Sequence, residues 1–390
     1  MKLSFACALS AFKRAAALGL AAAVLAGCAS RPGPDSLEIS LEEAEGTKDV
    51  HILVATTRAR AEHPPALYTS KRSEELDFAS ATISIPPTHK PGRIEWASSP
   101  PGNPNTDFVV RQAAYIDGNA AFRQQVNQAI AKRAGREREA VLFIHGYNTR
   151  FSEGVFRLAQ MAADAKINRV PILFTWASAG NLTDYIYDTN SVTVARDGLE
   201  QVLRELVNSD AERVTILAHS LGNLLLLETL RQMELKGHGL LKNKKVTIVM
   251  ASPDIDIDVF KTMITSLGYR ANPVFVLVSR DDRALRFSRR IAGGKARVGG
   301  IENDAELTSL GVVVIDLTDV QGQDSVNHDK FAQLAQFGPQ LVNALEQGTM
   351  SRNKQSIGGR LGNAGRSFTE FLGNTAKIVI STPGSVGATR

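Results

Sequence analysis

The sequence has 390 residues, 43% of them hydrophobic, enough to bury one α/β domain of roughly 200 to 250 residues with appendages. Its formal charge of +5 is confined to the two ends: residues 1–27 hold Lys2, Lys13 and Arg14, and residues 349–390 hold six basic side chains against the single acid Glu370. The body between is mildly acidic, which excludes the basic footprint that a nucleic-acid partner requires.

Lys13 and Arg14 precede an apolar run from Ala15 to Ala26 that closes in Leu25-Ala26-Gly27-Cys28. The run is too short for a permanent transmembrane helix. A basic start, a short apolar stretch and small residues before a cysteine read as a bacterial lipoprotein signal peptide, residues 1–27. Cys28 then becomes the acylated first residue, a membrane anchor in the cell envelope. Ala29 after it, rather than Asp, favours the outer membrane, facing the periplasm. Cys7 leaves with the signal, so no pair remains for a disulfide. Residues 28–48, rich in turn formers and acids, are expected to be a linker.

Val50 to Thr57 and Phe78 to Ile85 read as the first strands of a domain spanning 49–347, with N-terminal strands in 49–115 and a catalytic core in 137–347. From Ala140 onward, short Val/Ile/Leu runs alternate with segments of helical period. The runs are 141–144, 172–175, 214–217, 246–250, 274–278 and 312–315; the helices are about 152–167, 192–207, 221–235, 256–267, 283–291 and 329–346. Continuous apolar runs between helices mean parallel strands buried on both faces. The fold class is therefore α/β: an open, doubly wound, mostly parallel sheet with helices on both faces and ligands at the carboxyl ends of its strands. Only about 20 residues separate the runs ending at Met250 and starting at Val274, room for one helix and no large lid. Beyond Gly348 the composition predicts a basic, mostly disordered tail, 348–390, although Phe368, Phe371 and Leu372 among its basic residues would also suit a membrane-surface helix.

A serine hydroxyl is a weak nucleophile, so acyl transfer needs it on a sharp turn, beside a base, with amide donors placed for the oxyanion. Ala218-His219-Ser220-Leu221-Gly222 follows a strand and opens a leucine-rich helix, the context of a nucleophile elbow, with Ala218 where the G-x-S-x-G pattern has glycine. In the chain order serine, acid, histidine, only His238 and His328 follow Ser220. About 15 residues of helix carry His238 some 20 Å away, which leaves His328. Asp282 follows the penultimate strand and is the preferred acid; Asp281, Asp254 and Asp256 remain open alternatives, with helix capping as the ordinary role of all four. The oxyanion amides are expected from Leu221 and from Tyr147 or Asn148, after His145-Gly146. His145, Gly146, Trp176, Tyr185 and Tyr187, with Asp188, are the candidate pocket residues. No metal or cofactor is required.

With these pieces assembled, residues 140 to 345 resemble the bacterial family known as domain of unknown function 900, esterase-like α/β-hydrolases often found as lipoproteins. The resemblance rests on Phe-Ile-His-Gly-Tyr-Asn at 143–148, Phe-Thr-Trp-Ala-Ser at 174–178, Ala-His-Ser-Leu-Gly-Asn at 218–223, Ala-Ser-Pro-Asp-Ile-Asp at 251–256 and Ser-x-x-Asp-x-Ala-Leu ending at Leu285. Val-Ala-Thr-Thr-Arg at 54–58 looks like the family's N-terminal portion. The resemblance implies a triad of Ser220, Asp282 and His328 and leaves the substrate open. The expected activity is hydrolysis of a small acyl ester; an amidase or acyltransferase on the same triad, or a catalytically silent envelope-binding protein, are the alternatives.

Overall fold

The computed structural model describes residues 31–166, 168–238, 244–267, 274–322, 324, 326–333, 379–381 and 383. The strands are β1 (Lys48–Arg60), β2 (Tyr68–Ile85), β3 (Val109–Ile116), β4 (Glu139–Ile144), β5 (Val170–Thr175), β6 (Arg213–His219), β7 (Lys245–Ala251), β8 (Val274–Val278), β9 (Val313–Asp316) and β10 (Val379–Ser381). The helices are α1 (Gly118–Ala131), α2 (Phe151–Ala165), α3 (Tyr185–Val207), α4 (Gly222–Leu235), α5 (Ile257–Ser266), α6 (Arg283–Ile291), α7 (Asp304–Thr308) and α8 (Lys330–Gln333).

One sheet contains all ten strands in the order β10-β9-β8-β7-β6-β4-β5-β1-β2-β3. The seven strands from β9 to β1 run parallel; β2, β3 and β10 complete the edges antiparallel. Every residue of β5, β8 and β9 is buried, which is why these strands read as unbroken apolar runs: both faces are covered. On one face α1, α3, α4 and α5 pack through residues such as Phe122, Leu199, Leu226 and Phe260. On the other, α2 contributes Val155 and Phe156, joined by Phe331 of α8. The expected α/β-hydrolase architecture is the one observed. Among the described residues no helix is long and apolar enough to cross a membrane.

Several elements differ from expectation. β2 starts at Tyr68, well before its alternating stretch, because its outer half pairs with the far end of β1 through shifts in register. α1 buries only a narrow stripe, Phe122, Val126 and Ile130, among amides, too thin to stand out in the sequence. The stretch 28–48 is no free tether from Arg31 onward. A 3-10 turn at Pro34–Leu37 buries Leu37, and Ser40 N donates to Val110 O of β3 at 2.8 Å. One buried leucine and a sheet-edge hydrogen bond outweigh the turn-former composition here. At the other end, Val379–Ser381 pairs with β9, inside the stretch expected as disordered. The remainder of the 329–346 helix and most of the tail lie outside the described residues.

Candidate active site

Parallel strands direct their carboxyl ends to one edge, and the chemistry-bearing loops gather there. Ser220 follows β6 directly with φ +51°, a left-handed conformation costing a non-glycine residue about 1–2 kcal/mol. The turn is pinned from both sides. Ser220 N donates to Ala251 O (2.9 Å), and Ser220 O accepts from Asp254 N (3.2 Å). Fully buried Asn223 donates through Nδ2 to both Ser220 O (3.1 Å) and Ala251 O (3.0 Å). Two glycines make the turn possible: a Cβ on Gly146 would stand 2.8 Å from Ser220 Cβ, and one on Gly222 would stand 2.4 Å from His145 O. Ala218 is fully buried, so its methyl group is accommodated where the motif has glycine.

His328 Nδ1 and Asp282 Oδ2 lie 2.6 Å apart, with the Asp282 side chain fully buried. Asp282 is also the N-cap of α6, its Oδ1 accepting from Leu285 N at 3.0 Å. One carboxylate therefore performs the capping role and holds the imidazole, one oxygen for each. Burial alone would lower the His328 pKa, but the charge and hydrogen bond of Asp282 prevail and raise it to about 9. The His328 carbonyl receives His219 Nε2 (3.3 Å) and Ser252 Oγ (3.4 Å), so this loop rests on the residues flanking the elbow.

The alternative acids are committed elsewhere. Asp281 accepts from Ser279 Oγ (2.6 Å), Lys330 Nζ (2.7 Å) and Asn327 Nδ2 (2.8 Å). It fastens the His328 loop rather than the imidazole. Asp254 accepts from Ser288 Oγ (2.5 Å) and Tyr185 OH (3.2 Å) and pairs with Arg297 (3.2 Å). Asp256 caps α5 through Asp258 N. His238 pairs with Glu200 and Arg204, at the other end of α4 from Ser220.

Of the two amides expected for the oxyanion, Asn148 is excluded. Its N–H donates to Asp188 Oδ2 at 3.1 Å, because the loops after β4 and β5 are tied together by that buried carboxylate, which also receives Ser178 Oγ (2.6 Å) and Ala179 N (2.7 Å). Tyr147 is the remaining candidate beside Leu221, whose amide precedes the first turn of α4 and has no intrahelical acceptor.

Three pocket expectations are corrected. Trp176 is fully buried and stacks on His145, ring centroids 5.1 Å apart; its indole donates to His145 O. His145 is itself buried, and desolvation with the Arg58 charge lowers its pKa to about 3, so it is a neutral core histidine. Tyr187 turns to β2, donating to Ser70 O (3.1 Å) and stacking under Arg72. Gly146 is buried against the elbow. Tyr185 and Tyr147 stay beside the site, their rings edge-to-face at 5.3 Å. Apolar aromatics flanking a β strand satisfy the core before they satisfy a cleft, and sequence does not separate the two.

Over residues 118–345, more than half its length, the chain matches the family described as alpha/beta hydrolase of unknown function (DUF900). It belongs to this family. Comparison with curated proteins finds no match. Membership and sheet topology make the chain an α/β hydrolase, with Ser220 at its strand-to-helix elbow.

Several residues that shape the hydrolase site were given no role of their own from the sequence. Arg58 is buried and donates from Nε to Thr175 Oγ1 (2.8 Å), from Nη1 to Ser178 O (3.0 Å) and from Nη2 to Thr149 O (2.8 Å). Burial pulls its pKa down to about 10. The arginine closing Val-Ala-Thr-Thr-Arg, just after an apolar run in the same strand, was the available signal. His219 stacks on Phe331 (4.3 Å) and touches the His328 ring (4.6 Å); burial and the His328 charge push its pKa well down. Lys330, 1% exposed, donates to Asp281, Leu317 O and Thr318 O. Among the described residues no cluster of three His, Cys, Asp or Glu could hold a metal ion.

Proposed function

We propose that this hydrolase is a serine carboxylic-ester hydrolase anchored to the bacterial envelope through acylated Cys28. The reading is carried by one observation: the 2.6 Å contact of His328 with buried Asp282 on a loop resting against the elbow of Ser220. Neutral His328 takes the Ser220 proton through Nε2 while Asp282 holds the ring by Nδ1. Ser220 Oγ attacks the ester carbonyl, and the Leu221 and Tyr147 amides receive the oxyanion. Collapse expels the alcohol with the proton from His328 and leaves an acyl-enzyme. Water, deprotonated by the same imidazole, then releases the carboxylic acid and restores the serine.

A fluorophosphonate probe tests the nucleophile. Stoichiometric labelling of the folded protein that disappears in Ser220→Ala is the expected result, and folded protein that never labels would sink the proposal. Product analysis with a competing alcohol or amine then separates hydrolysis from acyl transfer. Fractionation at high salt tests the anchor: Cys28→Ser should release the protein from membranes, whereas unchanged fractionation would refute lipidation as its only tether.

A further inference from the structure

The segment next to Cys28 is fastened to the rim of the Ser220 site. The Arg31 guanidinium donates to Asn148 O (2.7 Å), Asn148 Oδ1 (2.8 Å) and Gly180 O (3.0 Å), and pairs with Glu153 at 2.5 Å. Arg150 donates to Pro32 O at 2.9 Å. Asn148 adjoins Tyr147, so residue 31 is stapled to the loop that flanks the elbow. Three residues of extended chain reach at most about 11 Å. An acyl chain on Cys28 would hold the bilayer within that distance of the rim.

Beginning just after Asp282, the partner of His328, α6 presents an unusual surface. Its nine residues, Arg283–Ile291, include four arginines and no acid. Leu285 and Ser288 face inward, while all four arginines are exposed with Phe287 (57%) and Ile291 (50%). Arg283, Phe287 and Ile291 recur every four residues, and Arg286 with Arg290 forms a second stripe beside them, so apolar and basic side chains share one outward face. The helix is part of the site's frame: its cap is Asp282, and Ser288 and Tyr185 share Asp254. Tyr185 opens α3, where Leu182 (69%) and Ile186 (77%) are also exposed. Large apolar side chains thus stand out on α6 and on the segment that Tyr185 joins to it, which marks an interaction surface.

We propose that this rim docks on an anionic lipid bilayer, with α6 lying in the headgroup region, so that the ester reaching Ser220 is an acyl ester of the lipid surface. Phe287 and Ile291 enter the boundary region, and the arginines reach the phosphates on flexible stems. A basic helix with exposed aromatic and aliphatic residues complements negative charge over an apolar layer, which an acidic protein surface does not offer. The substrate class rests on the reading of Ser220 as nucleophile and the orientation on that of Cys28 as anchor; docking itself is measured without either.

The experiment uses the full chain with Cys28→Ser, sedimented with vesicles of phosphatidylcholine alone or of equal parts phosphatidylcholine and phosphatidylglycerol. The leader, with Lys2, Lys13 and Arg14, contributes equally to the parent and to R286Q/R290Q, so comparing the anionic preference of these two proteins cancels it. A preference for the anionic vesicles on the order of a hundredfold is expected at low salt, shrinking as salt is added. R286Q/R290Q should cut that preference by about twenty-five-fold, roughly fivefold per arginine. Equal binding to both vesicles overturns the proposal. So does a preference that survives R286Q/R290Q in folded protein, which would place the attraction in the basic ends of the chain, 1–27 and 349–390. Fluorophosphonate labelling of the same samples separates the two readings, since labelled protein that ignores the vesicles overturns docking alone.

Discussion

His328 carries the pH behaviour of the site. Its pKa is raised to about 9 by Asp282, and only the neutral ring can accept the Ser220 proton. Activity toward a soluble ester should therefore climb with pH through an ionisation well above 6.5. Asp282→Asn should move that ionisation down and lower kcat by about 10³–10⁴-fold. An inflection at or below 6.5 in the parent protein would contradict the assignment. The same residue makes a stability prediction of definite sign: a histidine raised on folding stabilises below its unfolded pKa of 6.5, and that contribution is lost as pH rises through its folded value. Gly222 tests the elbow itself. A methyl group there meets His145 O at 2.4 Å, a backbone atom that cannot turn aside, so Gly222→Ala should lower unfolding free energy by about 1–3 kcal/mol in urea titration.

Among the elements, the loop carrying His328 is tied to the end of β8 by Asp281, through Asn327 and buried Lys330. Asp281→Asn should therefore lower kcat by about tenfold to a hundredfold, less than Asp282→Asn, with the pH profile little displaced; measuring both profiles in parallel decides between positioning and proton handling. The opposite ranking would transfer the acid to Asp281. Much of this was legible in sequence, because buried parallel strands write themselves as continuous apolar runs and the elbow joins a strand to a helix at Ser220. What stayed illegible depends on long-range pairing. Asp281 and Asp282 are neighbours with different partners, and only the fold brings Lys330 to one and His328 to the other. Trp176 and His145 were read as cleft residues because a strand's carboxyl end leads equally to the core and to the site. Asn148 lost its expected role to a carboxylate forty positions along, Asp188.

At the scale of the molecule, the loop between β2 and β3 is fastened to α2 through His89, which lies between Glu95 (2.7 Å) of that loop and Asp164 (2.9 Å) of α2. Burial opposes protonation, yet the two carboxylates prevail and raise its pKa. The staple is complete below pH 6.5 and weakens as pH rises through the folded value. His89→Gln should consequently lower the thermal midpoint more at pH 6 than at pH 9. Equal losses at the two pH values would show that the imidazolium charge plays no part. The short strand β10 acts on the same scale by covering β9 with backbone hydrogen bonds. Without it the backbone donors and acceptors along that margin would face solvent, a template on which a second molecule could add its own strand. Three residues near the end of the chain thus help to keep each copy of the protein apart from the next.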